Sequence, residues 1–145
     1  MKKRGQMKLS FGMIFSIILI IIFIAFAFFA ISKFMKFQKE IKYVDFKQDL
    51  QQEIDTMWKS SQGSKDVTHP LPKEITSICF VEDDFGENLI YQGKFRQGES
   101  FEHLDVTKML ESENREEYCI RGNEGIFTFT IQKTYGESLV TISRI

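Results

Sequence analysis

Residues 9–32 run for 24 positions without a charged side chain, LSFGMIFSIILIIIFIAFAFFAIS, and only Ser10, Gly12, Ser16 and Ser32 are not strongly apolar. At about 1.5 Å per residue a helix of this length reaches roughly 36 Å, against a bilayer core of about 30 Å. Lipid supplies no hydrogen-bond partners, so a lone spanning segment must be helical. A buried core helix is excluded on size: the remaining chain is too short and too polar to cover such a cylinder. Cleavage as a secretory signal is disfavoured despite the small-x-small triplet Ala25-Phe26-Ala27, because apolar residues continue through Phe28, Phe29 and Ile31. The expectation is a single-pass cell-membrane anchor, with membrane lipid as its partner.

Lys2, Lys3, Arg4 and Lys8 precede the run, and Lys33, Lys36, Lys39, Lys42 and Lys47 follow it. Charge on the two sides nearly balances, so the positive-inside rule decides little. The short N-terminal stub favours a cytoplasmic N-terminus with the C-terminal domain outside.

The chain is expected to divide into a basic leader (1–8), a transmembrane helix (9–32), an amphipathic stalk helix (33–59), a loop (60–73) and an extracytoplasmic, mainly-β domain (74–145). In the stalk, Phe34, Phe37, Ile41 and Val44 are spaced 3, 4 and 3, and Leu50, Ile54, Met57 and Trp58 are spaced 4, 3 and 1, which gathers apolar groups on one helical face. Phe46 lies between the two sets, where the stripe shifts phase. Trp58 is read as core. Residues 60–66 are small and polar and end the helix, and residues 69–72, His-Pro-Leu-Pro, are extended.

Beyond the loop, residues 75–81, 89–91, 117–121, 126–133 and 139–145 read as strands, and residues 104–113 as a short helix with Leu104, Met109 and Leu110 inward. Residues 94–103 are expected to be irregular. Phe127, Phe129 and Ile131 alternate with Thr128, Thr130 and Gln132, the period of a half-buried strand. Gly136 suits the turn that follows. An antiparallel sheet with one apolar face needs a cover, and the amphipathic half of the long helix can supply it. The expected class is α+β: a long N-terminal helix packed on a small antiparallel sheet.

Residues 74–145 hold seven basic against fourteen acidic residues, a net charge of −7, whereas residues 33–73 carry +2. An acidic head repels phosphates, so nucleic acid is not an expected partner.

Few residues suggest chemistry. Cys79 and Cys119 are the only cysteines, each inside an expected strand. They form a disulfide if those strands are neighbours in an oxidising compartment, or stand as two buried thiols. No CxxC is present, and His69 and His103 lie at no ligand spacing, so no metal is expected. A Cys/His hydrolase lacks a flanking signature, and His69 reads as a solvated loop residue. Residues 82–88, EDDFGEN, lack the alternation of a calcium loop and read as a solvated hairpin turn. No phosphate loop or other cofactor motif occurs; no catalytic residue and no cofactor are expected.

The opening Lys3-Arg4-Gly5-Gln6, followed closely by the apolar run, resembles the class III signal of archaeal type IV pilins. The resemblance covers about thirty residues. It implies cleavage by a prepilin peptidase between Gly5 and Gln6, a helix that first anchors the subunit and then packs in a filament core, and a pilin-like α+β head. Ser10 stands where the family often has Glu at the fifth mature position, and Lys8 puts a charge at the third; both bear on assembly more than on processing. A signal-anchor with an ordinary basic flank explains the same residues. The functional expectation is a non-enzymatic structural or accessory subunit of a surface filament or secretion-like assembly, with other pilin-like subunits as partners. The alternative is a single-pass binding module that contacts another envelope protein.

Overall fold

The structure, a computed structural model, describes residues 11–94 and 96–145. The proposed processing pair Gly5 and Gln6 lies outside the described residues. A single helix, α1 (Phe11–Lys59), runs for 49 residues. Seven strands and a second helix follow: β1 (Gly63–Pro70), β2 (Ile75–Val81), β3 (Leu89–Gly93), β4 (Gln97–Glu99), α2 (Val106–Glu113), β5 (Glu117–Arg121), β6 (Ile126–Lys133) and β7 (Thr141–Arg144). The class is α+β, a long N-terminal helix packed against antiparallel sheets, consistent with a pilin-like fold.

The chain separates into two compact units with the boundary between Lys39 and Glu40. In the first unit α1 is long and apolar enough to cross a membrane, and its apolar window is uncovered by protein. No proline interrupts it, and Ser16 turns its hydroxyl inward, donating to the Gly12 carbonyl at 2.8 Å, so the helix shows no bare polar group there.

The second unit, Glu40–Ile145, is the head. It holds two sheets rather than the single one expected: a three-stranded sheet in the order β1-β6-β7 and a four-stranded sheet in the order β4-β3-β2-β5. The named strands pair antiparallel, and one isolated bridge, Leu104 to Val140, is parallel. One apolar cluster joins both sheets to the helices, with Leu50, Ile54, Ile78, Phe80, Tyr91, Phe127 and Phe129 among its most buried members. The alternation read for β6 holds, with Phe127, Phe129 and Ile131 buried. The second sheet is buried on nearly every residue of β2, which reads Ile-Thr-Ser-Ile-Cys-Phe-Val. Its centre thus resembles a strand covered on both faces.

Four readings of the sequence are corrected. The segment 60–73 is not a loop throughout, because β1 lies within it and pairs with all of β6 from Gly63↔Lys133 to Pro70↔Ile126. The polar outer positions of β1 conceal a strand whose inward residues, Val67 and His69, are the only buried ones. The stripe that packs on α1 is Phe46, Leu50 and Ile54, flanked by the half-buried Tyr43 and Met57, whereas Phe34, Phe37, Ile41 and Val44 stay exposed. Phe46 is therefore part of the packing face and not a break in it. Residues 94–103, read as irregular, contain β4, paired to β3.

The ends of the elements follow local chemistry. Lys133 donates from Nζ to the carbonyls of Trp58 (2.5 Å) and Ser60 (2.9 Å), satisfying acceptors that the end of α1 leaves open. Asp105 caps α2, accepting from the Lys108 amide at 3.0 Å, and Asn114 closes it in the left-handed conformation. Gly125 takes φ +83°, and a Cβ there would lie 2.6 Å from the Leu71 carbonyl oxygen, so only glycine fits.

Candidate functional site

A set of polar side chains of the head converges along the seam where α1 meets the sheets. Positions 51, 53 and 55 of the helix flank the buried stripe, so their side chains meet the neighbouring strands and loops. Glu53 accepts from Lys65 at 3.1 Å and lies 2.9 Å from His69 Nε2. The His69 ring is buried between Phe46, edge-on at 5.4 Å, and Phe129, tilted at 5.8 Å. His69 is thus a core residue of β1, and its reading as a solvated loop residue is overturned.

Two residues further along, Asp55 lies 2.9 Å from His103 Nδ1. The His103 ring stacks on Trp58, with centroids 3.8 Å apart and planes 12° apart. Trp58 is 37 % exposed, so it is a surface platform rather than the core residue expected. Gln51 reads the backbone beside His103 twice: its Oε1 accepts from the Glu102 amide at 2.9 Å, and its Nε2 donates to the Glu102 carbonyl at 3.3 Å. His103 has φ 63°, unusual for a residue with a side chain. The stack, the carboxylate and the amide fork together hold it there. The hydrogen bond from His103 is the main reason that the Asp55 carboxyl titrates below its ordinary range.

Beside this seam runs a groove of about 660 Å³, walled by Asp49, Gln52 and Glu53 on α1 and by Ser64, Lys65 and Thr68 on β1. Its β1 residues come from both faces of the strand and none comes from β6, so it follows the free edge of an outer strand.

Cys79 and Cys119 face each other in register on β2 and β5 and are joined by a disulfide, S–S 2.03 Å. The bond closes a separation of 40 residues. Because the thiols are joined, neither serves His69 or His103 as a nucleophile. Glu117 lies beside the pair. With both sulfurs in the bond, that group offers a cation one carboxylate and no thiolate. The residues 82–88 form a turn: the Gly86 amide donates to the Asp83 carbonyl at 3.1 Å, and the Phe85 amide to Asp83 Oδ1 at 3.3 Å.

Sequence reasoning identified the cysteines and both histidines but not Gln51, Glu53, Asp55 or Lys133. The one available signal was the i, i+4 pair Gln51–Asp55, bonded at 2.8 Å. Among the described residues, the Tyr91 hydroxyl is buried without a hydrogen-bond partner, and burial, reinforced by Glu99 and Tyr43, pushes its pKa well above the usual phenol range. The seam fastens helix to sheet, and its Glu53 and His69 also line the groove. Set against known protein families, curated proteins and solved structures, the chain matches none.

Proposed function

We propose that this chain is a membrane-anchored, pilin-like subunit or accessory of a surface filament or secretion-like assembly, and that it is not an enzyme. The supporting observation is the division of α1. Its first part leaves apolar side chains from Phe11 to Phe37 uncovered, as lipid or a helical filament core requires, while its last turns supply the spine of the head. The cytoplasmic N-terminus and the outward head belong to the same reading. So does cleavage between Gly5 and Gln6. A disulfide in the head suits an oxidising compartment.

The test is the intact mass and N-terminal sequence of the protein recovered from its native membrane. A chain beginning at Gln6 supports prepilin-type processing. A chain that keeps the leader sinks the filament reading and leaves a single-pass anchor carrying a binding head. A chain beginning near Phe28 overturns the anchor itself.

A further inference from the structure

Three of the four sheet edges in the head are closed or short. At β7, Leu104 bridges Val140, and the Arg144 amide donates to the Tyr118 hydroxyl at 2.9 Å. At β5, the Cys119 carbonyl accepts from Arg144 Nε at 2.9 Å. The strand β4 is three residues long. The fourth edge, β1, is eight residues long and pairs with β6 without a bulge. On its outer side it meets no hydrogen-bonding group among the described residues. An open, regular edge of that length is a template for one more strand.

The groove beside β1 decides what kind of strand fits. One wall is the flank of α1 and the other is β1 itself. Met57 stands at the Gly63 end, where a Cβ on Gly63 would lie 3.0 Å from Met57 Sδ. One turn earlier on α1, Glu53 meets Lys65 and His69. A further turn back, Asp49 therefore lies towards the Pro70 end. The charged residues that line the groove are Asp49, Glu53 and Lys65. Glu53 is answered by Lys65, whereas Asp49 is exposed and has no ion-pair partner among the described residues. On that side of α1 the charges next to Asp49 are Asp45 and Glu53, one turn away on each side. The nearest lysine on the same face of the helix, Lys42, is roughly 10 Å distant.

The groove is thus apolar at one end and acidic at the other. Met57 and Asp49 are eight residues apart, roughly 12 Å along the helix. An extended chain rising about 3.4 Å per residue covers that span in about four residues, and an even spacing keeps both contacts on one face of the strand.

We propose that this groove takes an extended segment of another protein as an added strand on β1, with a lysine or arginine against Asp49 and an apolar residue four positions later against Met57. That order belongs to the antiparallel direction, the more stable one per residue. Main-chain hydrogen bonds supply the affinity and the two side chains supply the choice. Outside the helices, no lysine or arginine among the described residues precedes an apolar residue by four, apart from Arg115 before the disulfide-bonded Cys119. The segment is therefore assigned to a different chain. The inference goes beyond the subunit reading and stands without it.

The experiment uses the full chain in detergent. The probe is the labelled heptapeptide Thr-Lys-Thr-Thr-Thr-Leu-Thr, blocked at both ends. Fluorescence anisotropy is expected to show binding about tenfold tighter than for the same peptide with glutamate in place of lysine. Asp49→Asn should bring the two peptides level, and Asp49→Lys should invert the preference. An unchanged thermal midpoint of the head confirms that these variants of an exposed residue fold. Amide hydrogen exchange within residues 63–70 should slow when the peptide is added. Methylating alternate peptide nitrogens should abolish binding in one of the two alternating sets and spare the other, because only one set faces β1. The proposal is overturned if the peptide does not bind, if Asp49→Lys leaves the preference in place, or if both methylated sets behave alike. It is also overturned if residues 63–70 are already protected in a dimer of the chain without peptide, which would make a second copy the occupant.

Discussion

The two parts of α1 share a helix and obey different solvents. From residue 11 to residue 32 the side chains are almost all apolar and uncovered. From residue 40 onward a single stripe, Phe46, Leu50 and Ile54, is buried, while Ile41 and Val44 stay exposed. In water such uncovered apolar area would cost about 25 cal/mol per Å². The first part therefore implies an apolar surrounding, and the second carries its own in the form of two sheets. The helical periodicity of the second part matters because water must be kept on one side. The first part needs no periodicity, since lipid is apolar on every side.

Because the disulfide belongs wholly to the head, it offers the largest test of that independence. Replacing Cys79 and Cys119 with Ala releases a 40-residue separation, and the chain-entropy account puts the loss of head stability at about 4 kcal/mol. Urea titration in detergent should show the near-ultraviolet signal of the head shifting by that amount while the helical signal of residues 11–39 persists. Joint collapse of both signals would mean that the two parts are one cooperative unit.

A pair of truncations gives the next effect. Leu50→Ala empties a fully buried site between helix and sheet and should cost the head about 3 kcal/mol. Leu19→Ala removes the same atoms from the uncovered part and should leave the head's urea midpoint in place. Equal effects at both positions would erase the contrast.

How much of this was legible depends on what kind of partner a residue has. The apolar run needed no partner, so composition revealed it. The strand β6 was visible because Phe127, Phe129 and Ile131 alternate with polar residues over a long span. The strand β1 was hidden because it is an edge strand with polar outward positions and only Val67 and His69 inward. The sequence could offer Cys79 and Cys119 as a pair only conditionally, since their register depends on β2 and β5 lying side by side. The seam was illegible for a related reason. Glu53 and Asp55 look like solvated helix residues until the fold brings His69, from β1, and His103, from a turn some fifty residues away, to meet them. Trp58 was misassigned because size suggests burial, whereas the ring here lies flat on a histidine at the rim.

That rim supplies the smallest test and one that only the head half can fail. Hydrogen bonding from His103, with smaller help from Gln51 and from the charges of His103 and Lys59, holds the Asp55 carboxyl below its usual titration. A carboxyl depressed in the folded state stabilises the fold above its unfolded pKa, near 3.8, and that contribution is lost as the pH falls through the lower folded value. Asp55 is partly exposed, so solvent screens the pair and the effect is modest. Head stability measured by urea should therefore decline on acidification below about pH 4, and Asp55→Asn should make that acid limb shallower while leaving the neutral plateau slightly lower. His103→Gln should do the same, because it removes the bond from the other side, and the double variant should add little to either single one. If the single variants keep the wild-type acid limb, the His103–Asp55 bond does not hold the rim in solution, and the left-handed turn at residue 103 must be fixed by the Gln51 fork and the Trp58 stack alone.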